Sequence, residues 1–354
     1  MAKSTASLSP SPNVARGHWT RREAVRASAG RRTGPRLLLV ALGAILVALP
    51  AGCGSSDPSA DGDALRIGYQ KWGTYSLLKA SGALEPKARE YGLRVEWVEF
   101  PAGPPLLEAL NAGSLDLGHA GDSPPLFAQA AGVPFVYVAA SSPSPESSAI
   151  VVRADSALRE PRDLKGKRIG FVKGSSAHTM VVRVLERNGL AVGDVTPVYL
   201  APADARAALE GGSIDAWSIW DPYLAAAEVA GGARRVADGR GYVTGREYYF
   251  ASKAFAEKRP EVVRAFLTEL TRVKDWAKER PGEVNRMLAD QTGIALGAIE
   301  KAESRRNRYD TGPITDALVA EQQTIADRYV QLGLLPHKID VRAAVVIIPF
   351  GGKE

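Results

Sequence analysis

Four short segments of this 354-residue chain combine neutral hydrogen-bond donors with glycine or proline, the composition of a turn leading into a helix. They are Gly68-Tyr69-Gln70-Lys71-Trp72-Gly73-Thr74, Gly121-Asp122-Ser123-Pro124, Lys173-Gly174-Ser175-Ser176-Ala177-His178 and Trp217-Ser218-Ile219-Trp220-Asp221-Pro222. The first turn of a helix presents N–H groups that have no partner within it, at the positive end of its dipole. An anion can be held there without a dedicated lysine or arginine. Ser123 before Pro124 and Asp221 before Pro222 read as N-caps followed by proline at the first helical position, and Ser175 or Ser176 can cap the third helix. The amide of Gln70, the serine hydroxyls and the backbone at Gly121 suit a permanent monoanion with three acceptor oxygens, which describes a sulfonate. Asp122 has the wrong charge to touch an anion, so its carboxylate is expected to cap or orient its turn. Trp220 is expected to form an apolar wall, and Trp217 to sit in the core. Trp72, His178 and Asp221 complete the set of candidate ligand-binding residues.

Residues for bond-making chemistry are not evident. His119, His178 and His337 lack metal-ligand spacing, Cys53 is the single cysteine, and no phosphate-cradling glycine loop occurs. The expectation is a binding protein with no cofactor, no metal and no catalytic residue.

The elements that must position these turns are legible from a repeat. Ala109-Leu110-Asn111-Ala112-Gly113-Ser114-Leu115-Asp116 returns 99 positions later as Ala208-Leu209-Glu210-Gly211-Gly212-Ser213-Ile214-Asp215. Both copies place an aspartate six residues on, at Asp122 and Asp221, then pass through proline into an alanine-rich helix. Two lobes built on one plan are the simplest account. Leu65-Arg66-Ile67-Gly68-Tyr69, Leu93 to Val98 and Arg168 to Val172 read as strands, and Met180 to Leu185 has helical spacing with a stop at Gly189. Alternating strands and helices predict an α/β fold of open, largely parallel sheets flanked by helices, with ligands beyond the carboxyl ends of the strands. Beyond Pro260, the stripe Val262, Val263, Phe266, Leu267, Leu270, Val273 and Trp276 predicts a long amphipathic helix whose charged face, including Lys274, Lys278, Glu279 and Arg280, is solvated.

Charge separates the leader from the body. Residues 1–53 hold eight basic residues and one acidic residue, leaving 37 basic against 38 acidic from position 54 onward. The body therefore has no basic excess, which argues against nucleic-acid binding. The leader has a basic stretch ending at Arg36, an apolar run from Leu37 to Leu49, and small residues before Cys53. That run is too short to cross a bilayer core of ~30 Å. It reads as a signal peptide over 1–53, with Arg21-Arg22 and Arg31-Arg32 each allowing twin-arginine export. Leu49-Pro50-Ala51-Gly52-Cys53 resembles a bacterial lipoprotein cleavage box, departing from it at Pro50, and implies lipidation of Cys53. Residues 54–63, rich in Ser, Gly and Asp, read as a flexible tether.

The body closely resembles the aliphatic sulfonate-binding proteins of ABC importers. The likeness is carried by Leu65-Arg66-Ile67-Gly68-Tyr69-Gln70-Lys71, Trp97-Val98-Glu99-Phe100-Pro101-Ala102-Gly103-Pro104, Leu107-Glu108-Ala109-Leu110-Asn111, Lys173-Gly174-Ser175-Ser176, Pro202 to Ala208 and Ile219-Trp220-Asp221-Pro222-Tyr223. It runs from about Leu65 to Val341 and departs at His178-Thr179, at Arg246-Glu247-Tyr248-Tyr249-Phe250 and at the tail from Val345. The resemblance implies a two-lobed periplasmic-binding-protein fold (type II-like) with the ligand cleft between lobes that close over it. The expected lobes are 64–152 with 246–354, and 153–245, with crossings near Ala149 to Val152 and Tyr248 to Ser252. Expected partners are an alkanesulfonate, an ABC permease with its ATPase, and the membrane through the lipid anchor, for an exported monomer engaged in sulfur acquisition. Taurine, nitrate or a thiamine-pyrimidine precursor are alternative ligands, and an enzyme resembling those that make the thiamine pyrimidine is the alternative class.

Overall fold

The computed structural model describes residues 63–306 and 310–350. The leader with its arginine pairs, Cys53 and the tether up to residue 62 lie outside the described residues. The first run of elements is β1 (Asp63–Tyr69), α1 (Thr74–Ser81), α2 (Leu84–Arg89), β2 (Leu93–Glu99), α3 (Gly103–Asn111), β3 (Leu117–Ala120), α4 (Ser123–Ala130) and β4 (Phe135–Ser141). The second is β5 (Ser148–Arg153), β6 (Arg168–Phe171), α5 (Ser176–Arg187), β7 (Thr196–Tyr199), α6 (Pro202–Glu210), β8 (Ala216–Trp220), α7 (Tyr223–Val229) and β9 (Ala233–Asp238). The chain returns through β10 (Tyr248–Ser252), α8 (Lys253–Lys258), α9 (Pro260–Glu279), α10 (Pro281–Thr292), α11 (Leu296–Arg305), β11 (Thr311–Gly312) and α12 (Asp316–Gln331).

Two sheets result, ordered β11-β4-β10-β3-β1-β2 and β7-β6-β8-β5-β9. In each, three strands run parallel, β2-β1-β3 and β7-β6-β8, and the next strand is antiparallel, β10 in the first sheet and β5 in the second. The sheets are therefore mixed, not largely parallel. The antiparallel strand in each arrives directly from the other sheet, without the crossover helix that a parallel neighbour needs. Because β5 pairs with β8 and β9, the strand that the sequence assigns to the first lobe lies in the second sheet. The chain passes between sheets at 142–147 and 239–247, just ahead of the two expected crossings.

The repeat has a physical basis. Gly113 and Gly212 both adopt φ +73°, the left-handed conformation that ends α3 and α6. Three residues on, Asp116 accepts from the Arg66 backbone N–H at 2.8 Å and meets its guanidinium at 2.8 Å, while Asp215 does the same for Arg168 at 2.8 and 2.9 Å. Each aspartate thus ties the end of a helix to the central strand of its parallel trio, β1 or β6.

Helix starts differ from expectation by about one residue. α4 begins at Ser123, so Pro124 stands second, and Pro222 rather than Asp221 is the cap of α7. Neither Ser175, the cap of α5, nor Asp122, the cap of α4, makes a side-chain cap bond. In α9 the apolar stripe is buried from Val262 to Val273, with Trp276 half-buried. Lys274, expected on the solvated face, is buried, because it follows Leu270 by four and so shares the inward stripe. The tail from Val345 bridges to Tyr137 and packs Ile348 into the first core. Among the described residues, no helix is long and apolar enough to cross a membrane.

Candidate functional site

The carboxyl ends of β1, β3, β6 and β8 converge on a cleft between the two sheets. The β1–α1 turn supplies Gln70 and Trp72, the end of β3 supplies His119 and Gly121, and the start of α5 supplies Ser175 and Ser176. Trp220 and Asp221 come from the end of β8, Ser147 from the first crossing, Ser148 from the start of β5, and Gly245, Arg246 and Glu247 from the return. Gly103 and Pro124 complete the lining. Of the expected residues, Gln70, Trp72, Gly121, Ser175, Ser176, Trp220 and Asp221 are therefore brought together. Asp122, Ser123 and His178 are not in the lining.

The serines at α5 do not point their protons into the cleft. Ser175 donates to the Val172 carbonyl at 2.7 Å, and Ser176 bonds to the Asp122 carboxylate. What α5 offers to the cavity is its N-terminal end, where no side chain caps the Ser176 and Ala177 amides; the His178 and Thr179 N–H groups of the same turn already bond to the Ser175 carbonyl. Gly121 is required opposite, since a Cβ there would overlap the Ser176 hydroxyl across the cleft. Gln70 is held by His119 twice: its N–H donates to Nε2 at 3.3 Å and its amide nitrogen donates to the His119 carbonyl at 3.2 Å.

The three expected residues outside the lining belong to the seam between lobes. Asp122 is buried, and burial raises its pKa while hydrogen bonds from Ser176 and Ser123 oppose the rise. Ser123 shares hydroxyl contacts with Thr179 and with Tyr329, the latter at 3.3 Å. His178 stacks on Phe171 at 5.1 Å and on Phe127 at 6.3 Å, and burial lowers its pKa to about 4, so it is neutral. It is a core histidine. Trp217 is fully buried, as expected.

Asp221 closes the opposite seam. Its carboxylate accepts the Ala225 N–H at 3.0 Å and pairs with Arg305 of α11 at 3.1 Å, and Arg305 also pairs with Glu228. Burial pushes its pKa up to about 7, against the pull of Arg305. The Asp221–Pro222 peptide bond is cis. Asp122 and Asp221, equivalent in the repeat, thus each join one lobe to the other.

Sequence reasoning missed His119, Ser147, Ser148, Arg246 and Glu247 as parts of the lining. The departure from the family pattern at 246–250 was the only signal for the last two; the others sit in strands or crossings without a local motif. Burial lowers the pKa of His119, partly opposed by Glu247 at 3.8 Å. Arg246 donates to the Ser141 carbonyl at 2.7 Å and pairs with Glu321 at 3.2 Å. Among the described residues, no group of three His, Cys, Asp or Glu is placed to hold a metal ion.

The NMT1/THI5 like family matches residues 89–284. A protein of Escherichia coli (strain K12) named for binding aliphatic sulfonates is 40% identical over 283 residues, covering 80% of this chain and 88% of that protein. A protein of the same name from Bacillus subtilis (strain 168) is 33% identical over 314 residues, covering 87% and 93%. The solved alkanesulfonate-binding protein SsuA from Xanthomonas axonopodis pv. citri, bound to MOPS, is 41% identical with a TM-score of 0.78, over 81% of this chain and 99% of that one. The two mixed, helix-flanked sheets are those of the periplasmic-binding-protein fold.

Proposed function

The chain belongs to the NMT1/THI5-like family, and from that premise we propose that it is an exported solute-binding protein that captures an aliphatic sulfonate and delivers it to an ABC importer for sulfur acquisition. The observation that carries this reading is the cleft, where the uncapped first turn of α5 in one lobe faces Gly121 in the other. A sulfonate stays charged at any physiological pH and offers three acceptor oxygens. Fixed backbone N–H groups at a helix start can bind it without any proton transfer. Trp220 and Trp72 line the same cleft and offer apolar surface to an alkyl chain. MOPS, held by the Xanthomonas relative, is itself an alkanesulfonate. In this reading the donors that touch the anion are backbone amides rather than the Ser175 and Ser176 hydroxyls, which are occupied.

Butane-1-sulfonate is expected to raise the melting temperature of the purified protein. At about 100 times its Kd, a ligand adds about 2.7 kcal/mol, a rise of roughly 5 °C. Stabilisation by nitrate or a hydroxymethylpyrimidine, with none by the sulfonate, would replace this ligand class with another. Delivery to a permease and its ATPase places the protein, as a monomer, at the outer face of the cytoplasmic membrane or in the periplasm. Lipidation of Cys53 supplies the anchor, since two acyl chains hold a protein stably where one does not. Cys53→Ser is then expected to move the protein from the membrane to the soluble fraction; identical fractionation of variant and wild type would remove the anchor.

A further inference from the structure

Glu247 is a carboxylate that an anion-binding cleft would not be expected to contain. It lines the cavity, with a side chain that is one-fifth exposed. Its Oε2 accepts from the Tyr249 hydroxyl at 3.3 Å. Its Oε1 fills space left open by Gly73, where a Cβ would lie 2.6 Å away.

Among the described residues, no lysine or arginine forms an ion pair with this carboxylate. Among the described residues, His119 is the basic side chain within ion-pairing distance, with Nδ1 at 3.8 Å. Its Nε2 accepts the Gln70 N–H at 3.3 Å, so the single proton of the neutral ring resides on Nδ1. That Nδ1 is buried without a hydrogen-bond partner among the described residues. The two arginines of this region are engaged elsewhere: Arg246 with Ser141 and Glu321, and Arg306 over the Trp72 ring at 3.9 Å and with Glu303 at 3.3 Å. A carboxylate that faces the cleft and is paired to no lysine or arginine among the described residues repels a second anion and attracts a cation.

Resting on the sulfonate reading, we infer that Glu247 selects sulfonates whose far end is cationic, that is, aminoalkanesulfonates. The sulfonate lies at the start of α5 and the ammonium at Glu247, two parts of the lining of one cleft. A second anionic group at the far end is rejected by the same carboxylate.

The test compares three probes of similar size on the purified protein by calorimetry: 3-aminopropane-1-sulfonate, butane-1-sulfonate and 3-sulfopropanoate. The wild type is expected to bind the amine about ten-fold or more tightly than butane-1-sulfonate, and 3-sulfopropanoate most weakly. In Glu247→Gln the amine-to-butane ratio should fall to about one, and the penalty on 3-sulfopropanoate should shrink. Thermal melting of the variant without ligand separates loss of fold from loss of preference. A wild type that binds all three alike, or a ratio that survives Glu247→Gln, overturns the inference while leaving sulfonate binding intact. A wild type that binds none of the three overturns both readings.

Discussion

At the scale of the residue, three buried titratable side chains, Asp122, His178 and Asp221, stand where the two lobes meet. Their pKa values are perturbed for one dominant cause, desolvation. His178 gives the cleanest measurable consequence. Its pKa is about 4 in the fold against 6.5 for the free side chain. Between those values the unfolded chain binds more protons, so the His178 contribution to stability is present above pH ~6.5 and lost as pH falls toward ~4, by up to about 3 kcal/mol. Asp221 acts with the opposite sign: its pKa is raised to about 7, so its contribution is lost as pH rises through about 7. His178→Gln, which does not titrate, is expected to flatten the acid side of the stability curve measured by denaturant between pH 7 and pH 4. An unchanged slope would mean that His178 titrates alike in folded and unfolded chains.

At the scale of the element, the repeat could be read because its residues serve local geometry twice over. Gly113 and Gly212 end a helix, and Asp116 and Asp215 pin the strand that follows to Arg66 and Arg168. The two pins are alike in bonding but not in burial, with 9% of the Asp116 side chain exposed against 31% of Asp215. Asp116→Ala should therefore cost about 2–3 kcal/mol, and Asp215→Ala about 1 kcal/mol or less, in chemical denaturation. Equal costs would show that the bond to the backbone, which both share, dominates over burial. Spacing and turn chemistry identified the strand-to-helix turns and seven of the lining residues. They could not reveal direction: Ser175 and Ser176 occupy the predicted place, but their hydroxyls turn to Val172 and Asp122. Nor could they reveal partners remote in sequence, such as Glu247 beside His119 or Arg305 on Asp221, since nothing local encodes a contact across more than eighty positions.

At the scale of the whole molecule, the cleft is framed by two seams. One joins Gly121, Asp122 and Ser123 to Ser176 and Thr179, with Arg328 of α12 bonded to Glu186 of α5 at 2.7 Å. The other joins Asp221 and Glu228 to Arg305. A ligand that bridges the lobes adds contacts only when these seams are made, so its binding energy favours the closed arrangement. In the proposed function that ligand is an anion, and calorimetry of the purified protein with butane-1-sulfonate and with its neutral isostere butane-1-sulfonamide tests whether the charge is what binds. Saturable one-to-one binding of the sulfonate is predicted, with the sulfonamide weaker by about ten-fold or more, the value of a charge-assisted contact. A sulfonamide that binds as tightly as the sulfonate would contradict it.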